Sequence, residues 1–225
     1  MDQKGRLFIV STPIGNLQDI TQRALRVLSE VEAIACEDTR QTVKLLNAFG
    51  LKKRLISYFQ PRESQKIPLI MSILEQGKDI ALVSDAGTPG ISDPGFPLIR
   101  AAIERRIQVV PIPGPSALTA ALSASGLPTH RVLFLGFPPA KRSGLKNFLQ
   151  EVAEEEATLV FFLPMRKFIR FVEVAREIFG PREVVLAREI TKVHEEFIRG
   201  NLDNLTLKVT EDRLRGEATL IVKGR

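Results

Sequence analysis

The chain has 225 residues, 44% of them hydrophobic and 6% aromatic, with one cysteine, two histidines and a net charge of +6. One cysteine excludes an internal disulfide, His130 and His194 with Cys36 alone argue against a His/Cys zinc site, and the absence of any run of 18 apolar residues or signal-type stretch argues for a cytoplasmic protein without a membrane-spanning helix. The pI near 9.7 favours a polyanionic partner, nucleic acid first, and the length suits two compact halves.

Met1 to Arg6 runs straight into a first strand over 6–10, and the loop Ser11-Thr12-Pro13-Ile14-Gly15-Asn16-Leu17 follows. Apolar spacing at Ile20, Ala24, Leu25, Val27 and Leu28 predicts a helix over 19–30. A dinucleotide fold carries Gly-x-Gly-x-x-Gly on this first turn; here only Gly15 is present, and no Walker sequence occurs, so neither a Rossmann pyrophosphate grip nor a nucleoside triphosphatase is read. A second strand over 31–36 ends in Glu37-Asp38-Thr39-Arg40 and a helix that Gly50 stops. Spacing leaves two readings of that tetrad: a polar site at a strand end, or capping by Asp38 or Thr39 with Arg40 paired to a carboxylate. Strands at 54–58, 80–83 and 107–112 alternate with helices at 63–76, where Pro68 implies a late start or a kink, and at 96–106. This is the pattern of a parallel α/β sheet.

The connection Ser84-Asp85-Ala86-Gly87-Thr88-Pro89-Gly90-Ile91-Ser92-Asp93-Pro94-Gly95 is longer than the about 2–6 residues a plain strand-to-helix turn needs. In open α/β sheets ligands sit beyond the carboxyl ends of the strands, so Asp85, Ala86, Gly87 and Thr88 are candidate ligand contacts. Asp93 reads instead as a helix cap, one residue before Pro94 at a first helical position. After the fifth strand, Pro113-Gly114-Pro115-Ser116-Ala117-Leu118 turns into a small-residue helix that Ser116 is placed to cap, and 126–129 reads as a linker. The expected organisation is an α/β domain over 1–113, a connecting helix and linker over 114–129, and a second α/β domain over 130–225.

In the second half, strands are expected at 132–135, 158–163, 183–187 and 218–222, with a short extended piece at 197–200. Helices are expected at 145–156, 168–179 and 201–209. The loop 136–144 is basic and rich in Gly and Pro, and reads either as a phosphate-seeking surface or as a solvated connection. Lys52, Lys53, Arg54, Arg62, Lys141, Arg142, Lys146, Arg166, Lys167 and Arg170 are the cations from which a folded patch would have to be built.

Five stretches now stand in order: 11–17, 37–40, 84–95, 113–117 and Arg188-Glu189-Ile190-Thr191-Lys192-Val193-His194-Glu195-Glu196. Together they resemble the tetrapyrrole-methylase superfamily of S-adenosylmethionine enzymes, over nearly the whole chain. Within it the similarity is to the branch that methylates the ribose 2′-hydroxyl of a decoding-centre cytidine in small-subunit (16S) ribosomal RNA. The resemblance implies two α/β domains of the class III methyltransferase type with the cofactor, S-adenosylmethionine, in the cleft between them. It also implies a homodimer and ribosomal RNA as partner, met in the assembled 30S subunit. Carried over residue by residue, Ile14 lines the cofactor site, Asp85 and Thr88 lie beside its methionine and ribose parts, and Ser116 and Ala117 approach it from the connecting helix. Leu163, Ala187 and Ala218 or Thr219 supply the adenine side.

Two departures are visible. Leu163-Pro164-Met165-Arg166 replaces a Glu-Ser-Pro-His-like stretch, and the chain stops at Arg225, where relatives often continue into a helical extension. The chemistry expected is displacement at a sulfonium methyl, for which no metal is needed, and a base within hydrogen-bond reach helps a poorly nucleophilic hydroxyl. Glu37 or Glu189 is read as that base, and Arg40 and Lys192 as holding the phosphate or ribose, with the 37–40 and 188–196 loops facing each other. The alternatives are a precorrin-type tetrapyrrole methyltransferase, and a non-catalytic RNA-binding assembly factor on the same fold.

Overall fold

The computed structural model describes residues 4–60 and 62–225; Met1–Gln3, read above as leading into the first strand, lie outside the described residues. Contacts divide the chain into two compact units, one ending at Ser116 and the other beginning at Ala117. No helix among the described residues is long and apolar enough to cross a membrane.

In the first unit, β1 (Leu7–Val10), β2 (Ala33–Cys36), β3 (Arg54–Ser57), β4 (Ile80–Val83) and β5 (Val109–Ile112) form one sheet in the order β3-β2-β4-β1-β5. Every pairing is parallel. Four helices cover the sheet, α1 (Gln22–Glu30), α2 (Thr39–Ala48), α3 (Glu63–Glu75) and α4 (Phe96–Glu104). Leu7 and Ile9 face a core built with α3 and α4, while Phe8 and Val10 face a core built with α1 and α2. Covered on both faces, the central strands read as unbroken apolar runs. The connection leaving β1 passes on one face toward β2, and the one leaving β4 passes on the other face toward β5. The chain therefore parts at the carboxyl ends of β1 and β4, the kind of crevice where open α/β sheets bind ligands.

Local chemistry sets the helix ends. The helix expected from residue 19 begins at Gln22: Asn16 caps a separate 3₁₀ turn, Leu17–Asp19, and Thr21 accepts from the Ala24 amide at 3.1 Å to start α1. α3 starts at Glu63 and carries Pro68 inside it, so the expected late start is not observed. The helix expected to be capped by Asp93 starts instead at Phe96 with Gly95 as its cap, at φ 151°. A Cβ on Gly95 would meet Leu82 Cδ2 at 3.1 Å and the Gly90 nitrogen at 3.2 Å, so only glycine fits that entry.

The second unit contains α5 (Ala117–Ser125), β6 (Val132–Phe134), α6 (Arg142–Gln150), β7 (Thr158–Pro164), α7 (Phe168–Phe179), β8 (Glu183–Arg188), β9 (Glu196–Asn201) and β10 (Glu217–Val222). Its sheet runs β6-β7-β10-β8-β9 and is mixed: β6 pairs parallel with β7, and the other three pairings are antiparallel. Leu159, Phe161 and Leu163 pack with α6 and α7 on one face. Val160, Val185, Ala187 and Ile221 pack with Ala121 of α5 on the other. α5 thus belongs to this unit's core. The helix expected over 201–209 is not formed. Asn201 and Asn204 each accept the other's amide, at 3.1 and 3.2 Å, and close a turn that leaves only Thr206–Lys208 in a 3₁₀ turn.

Candidate functional site

The crevice at β1 and β4 is zipped shut at its base. Thr12 and Gly87 exchange both backbone hydrogen bonds, at 2.9 and 3.0 Å, forming an isolated antiparallel bridge between the two loops. Ser11 Oγ lies 2.8 Å from Thr88 Oγ1, and Thr12 Oγ1 donates to the Ser84 carbonyl at 3.2 Å. Two hydroxyls sharing one hydrogen bond leave one hydroxyl proton for a ligand. Gly87 has φ +82°, and its missing side chain leaves Ile14 Cγ2 3.6 Å from where a Cβ would stand. Because the Gly87 amide is already bonded to Thr12, this glycine contributes shape rather than a donor. From the neighbouring β5 the loop 113–116 closes in, and a Cβ on Gly114 would come 3.0 Å from Ser11 Cβ. A cavity of about 250 Å³ opens here, lined among others by Thr12, Pro13, Thr42, Leu45, Ser84 and Asp85.

Around this edge stand carboxylates. Asp38 caps α2, accepting from the Arg40 amide at 2.8 Å and from its guanidinium at 2.7–3.2 Å. The Arg40 side chain and amide hold the Asp38 carboxyl down to about 2. So Asp38 and Arg40 take the capping and pairing reading. Arg40 is 86% exposed, and so loose a surface pair contributes little and exchanges readily. Asp85 Oδ1 accepts the Asp38 amide at 3.0 Å, and no other bond of its carboxylate is formed among the described residues. Partial desolvation and the Asp38 charge raise the Asp85 carboxyl, against the pull of that amide and of Arg40. Glu37 is half-buried at the end of β2; burial first, then the charges of Asp85, Asp93, Asp38 and Glu63, push its carboxyl above the ordinary glutamate range. A carboxyl so placed is a proton acceptor of raised basicity.

The second unit holds Ala117, Leu163, Ala187, Glu189, Lys192 and Thr219. Ala187 and Thr219 are direct partners on β8 and β10, both buried, and Ala187 lies on the α5 face. Leu163 is on the opposite face, in the core beneath α7, so its side chain does not join them and only its backbone is available to that site. The 188–196 loop is tightly tied. Glu189 has φ 50° and Thr191 φ 66°, uncommon for residues with a side chain. Glu189 Oε1 accepts from Lys192 Nζ at 3.2 Å and the Glu217 amide at 3.0 Å. Burial lifts the Glu189 carboxyl, but the Glu217 amide, Lys192 and Arg188 outweigh it and the net shift is downward. Glu196 bridges Arg188 at 2.6 Å and Arg213 at 2.9 Å.

The structure therefore gathers Ile14, Glu37, Arg40, Asp85, Ala86, Gly87 and Thr88 on one sheet edge of the first unit, and Ser116 ends that unit just beyond β5. Sequence reasoning missed three contributions: Ser11 and Thr12, which pin the crevice, and the charge of Asp93, which raises Glu37. The first two lay inside a recognised motif; the third was hidden by its spacing to Pro94.

Residues 6–206 match the family model described as Tetrapyrrole (Corrin/Porphyrin) Methylases. A ribosomal RNA small subunit methyltransferase I from Halalkalibacterium halodurans is 44% identical over 223 residues, which is 99% of this chain and 77% of that protein. One from Thermotoga maritima is 42% identical over 221 residues, 98% of this chain and 99% of that protein, so the further helical segment expected of relatives is not shared by all of them. Among solved structures, the uroporphyrin-III C-methyltransferase from Thermus thermophilus complexed with S-adenyl homocysteine superimposes with a TM-score of 0.65 at 19% identity, over 97% of each chain. At that identity the likeness speaks to the fold.

Proposed function

The chain belongs to the tetrapyrrole methylase family, among its ribosomal RNA small subunit methyltransferase I members, and from that premise we propose that it methylates the ribose 2′-hydroxyl of a decoding-centre cytidine in 16S ribosomal RNA, using S-adenosylmethionine. The observation that carries this reading is identity of 44% and 42% to such methyltransferases spread over 99% and 98% of the chain, both units included. Its natural acceptor is the assembled 30S subunit, its working state a homodimer and its place the cytoplasm, where ribosomes are made.

The first unit's residues fit the cofactor. Asp85 offers a carboxylate oxygen beyond the one bonded to Asp38, suited to an ammonium group, and the Ser11–Thr88 pair offers a hydroxyl donor. Gly87 and Gly114 lack side chains that would lie against Ile14 and Ser11, so the crevice keeps its shape around those residues. Ile14, Ala86, Ser116 and Ala117 complete the contacts we assign there, with Ala187, Thr219 and the Leu163 backbone on the second unit. When bound, the cofactor supplies an electrophilic sulfonium methyl. The chain's own work is alignment and proton handling.

Glu37 is assigned as the base that takes the 2′-hydroxyl proton, because its surroundings raise its proton affinity. Glu189 is assigned a holding role: its carboxylate is already bonded to Lys192 and the Glu217 amide, and it fixes Lys192 to meet a phosphate. Arg40 can leave Asp38 for the same purpose. The test is transfer of labelled methyl to small subunits from a strain lacking ribose methylation, with the product nucleoside identified by mass spectrometry. 2′-O-methylcytidine supports the reading; cofactor binding with no labelled RNA, or label on a porphyrinoid, overturns it.

A further inference from the structure

β6 and β7 are parallel, so the loops that leave their carboxyl ends emerge at the same edge of the second sheet. From β6 comes the 135–141 segment; from β7 come Pro164 and the turn Met165–Lys167, which leads into α7. The two are joined there. The Phe162 amide donates to the Gly136 carbonyl at 2.9 Å, the Phe137 ring lies 5.5 Å from that of Phe162, and Arg170 donates to the Ala140 carbonyl at 3.0 Å.

Five side chains are thereby collected: Phe137, Lys141, Arg166, Lys167 and Arg170. None of the four cations is in an ion pair among the described residues, whereas Arg142, next along the chain, is held by Glu173 and Glu177. Phe137 is 51% exposed although it is aromatic and has a core beside it. Unpaired cations attract phosphates, and an exposed ring among them offers a stacking platform for a base that is not in a helix. Arg170 and Phe137 help to join the two loops, but like charges gathered on one edge repel, so the unit's own stability does not account for Lys141, Arg166 and Lys167.

We infer that this edge of β6 and β7 is where the ribosomal RNA is held outside the reaction site, with Lys141, Arg166, Lys167 and Arg170 on phosphates and Phe137 against an unpaired base. The inference rests on the RNA-methyltransferase reading and adds the docking surface to it.

The experiment compares the wild-type chain with a triple variant, Lys141→Glu, Arg166→Glu and Lys167→Glu, which spares the Arg170 bond to the Ala140 carbonyl, and with Phe137→Ala. Each is measured for binding to unmethylated small subunits and to naked 16S RNA across a potassium chloride series, for methyl transfer, and for binding of S-adenosylhomocysteine. The triple variant is expected to flatten the slope of log affinity against log salt by about two to three, near one for each phosphate no longer neutralised. Its KM should rise at least tenfold while its affinity for S-adenosylhomocysteine and its melting temperature stay unchanged. Phe137→Ala should weaken RNA binding about tenfold with the salt slope intact, as loss of one stacked base does. Unchanged slope and KM in the triple variant overturn the surface alone. Normal binding to naked RNA with loss only on subunits also overturns it, since the edge would then meet ribosomal protein. Absence of transfer by the wild-type chain overturns the acceptor reading, and this surface with it.

Discussion

Two glutamates were candidates for the base, and their surroundings give them opposite tendencies. Glu37→Gln removes the proton acceptor while keeping volume and one hydrogen-bond oxygen. A positioned base typically contributes about 10²–10⁴ in rate, or roughly 3–5 kcal/mol at 1.36 kcal/mol per decade. Burial and four neighbouring carboxylates raise Glu37, which moves its proton affinity in the direction the role requires. Glu189→Gln leaves an oxygen for the Glu217 amide, bonded at 3.0 Å, and loses only the charge on Lys192, at 3.2 Å. That loss is about 1 kcal/mol, or roughly 2–4 °C in melting temperature for a chain of this size. Single-turnover methyl transfer at saturating cofactor, with calorimetric melting alongside, reads both effects. The expected result is a rate loss of at least a hundredfold for Glu37→Gln and less than tenfold for Glu189→Gln. Wild-type rates in the first, or an equal collapse in the second with its melt intact, would refute the assignment.

Asp93→Asn removes one of the charges that raise Glu37. A raised carboxyl stays protonated to higher pH, so the acid limb of kcat/KM should move to lower pH in this variant; a limb that stays put separates Asp93 from the base. Glu196→Ala leaves Arg188, 11% exposed, without its partner at 2.6 Å. Discounted for the partial exposure of Glu196 and Arg213, this should cost about 2 kcal/mol, or roughly 4–8 °C by calorimetry, and an unchanged melt would count the triad as ornament. Gly114→Ala brings a methyl to 3.0 Å from Ser11 Cβ, whose hydroxyl holds Thr88. Cofactor affinity measured by titration calorimetry should fall about tenfold with little change in melting, and equal affinity would show that the crevice has room to give.

The first sheet was readable because its signals are local. Parallel strands covered on both faces appear as short apolar runs, and Ile80 to Val83 is one from end to end. The second unit was less so. β7 is as apolar as a parallel strand, yet its partner β10 runs against it, and direction is decided by connections rather than composition. Asn201 and Asn204 show a different limit: an apolar spacing of Leu202, Leu205 and Val209 suits a helix, but two side-chain amides capture the backbone first. Asp93 shows a third, since its neighbour Pro94 satisfied a capping pattern that Gly95 fulfils in the fold.

For the site, the sequence placed polar residues at strand ends but not which of them would be bonded to each other. Asp38, Asp85 and Glu37 are equivalent on paper. Two amides and one guanidinium separate them into an acid held at about 2, a partly engaged ligand group and a proton acceptor. This concentration of carboxylates sits in a chain of net charge +6 for which we propose a polyanion as substrate. Negative charge around Glu37 raises its basicity and, by the same field, repels phosphates from the reaction edge. Beyond the one phosphate assigned to Arg40, affinity for RNA must then come from other cations, and ones outside any ion pair among the described residues are found at the β6 and β7 edge of the second unit. Arg40 and Lys192 are left to orient the acceptor, and most of the grip is assigned to a different surface, because one local potential cannot both raise a carboxyl's basicity and gather phosphates.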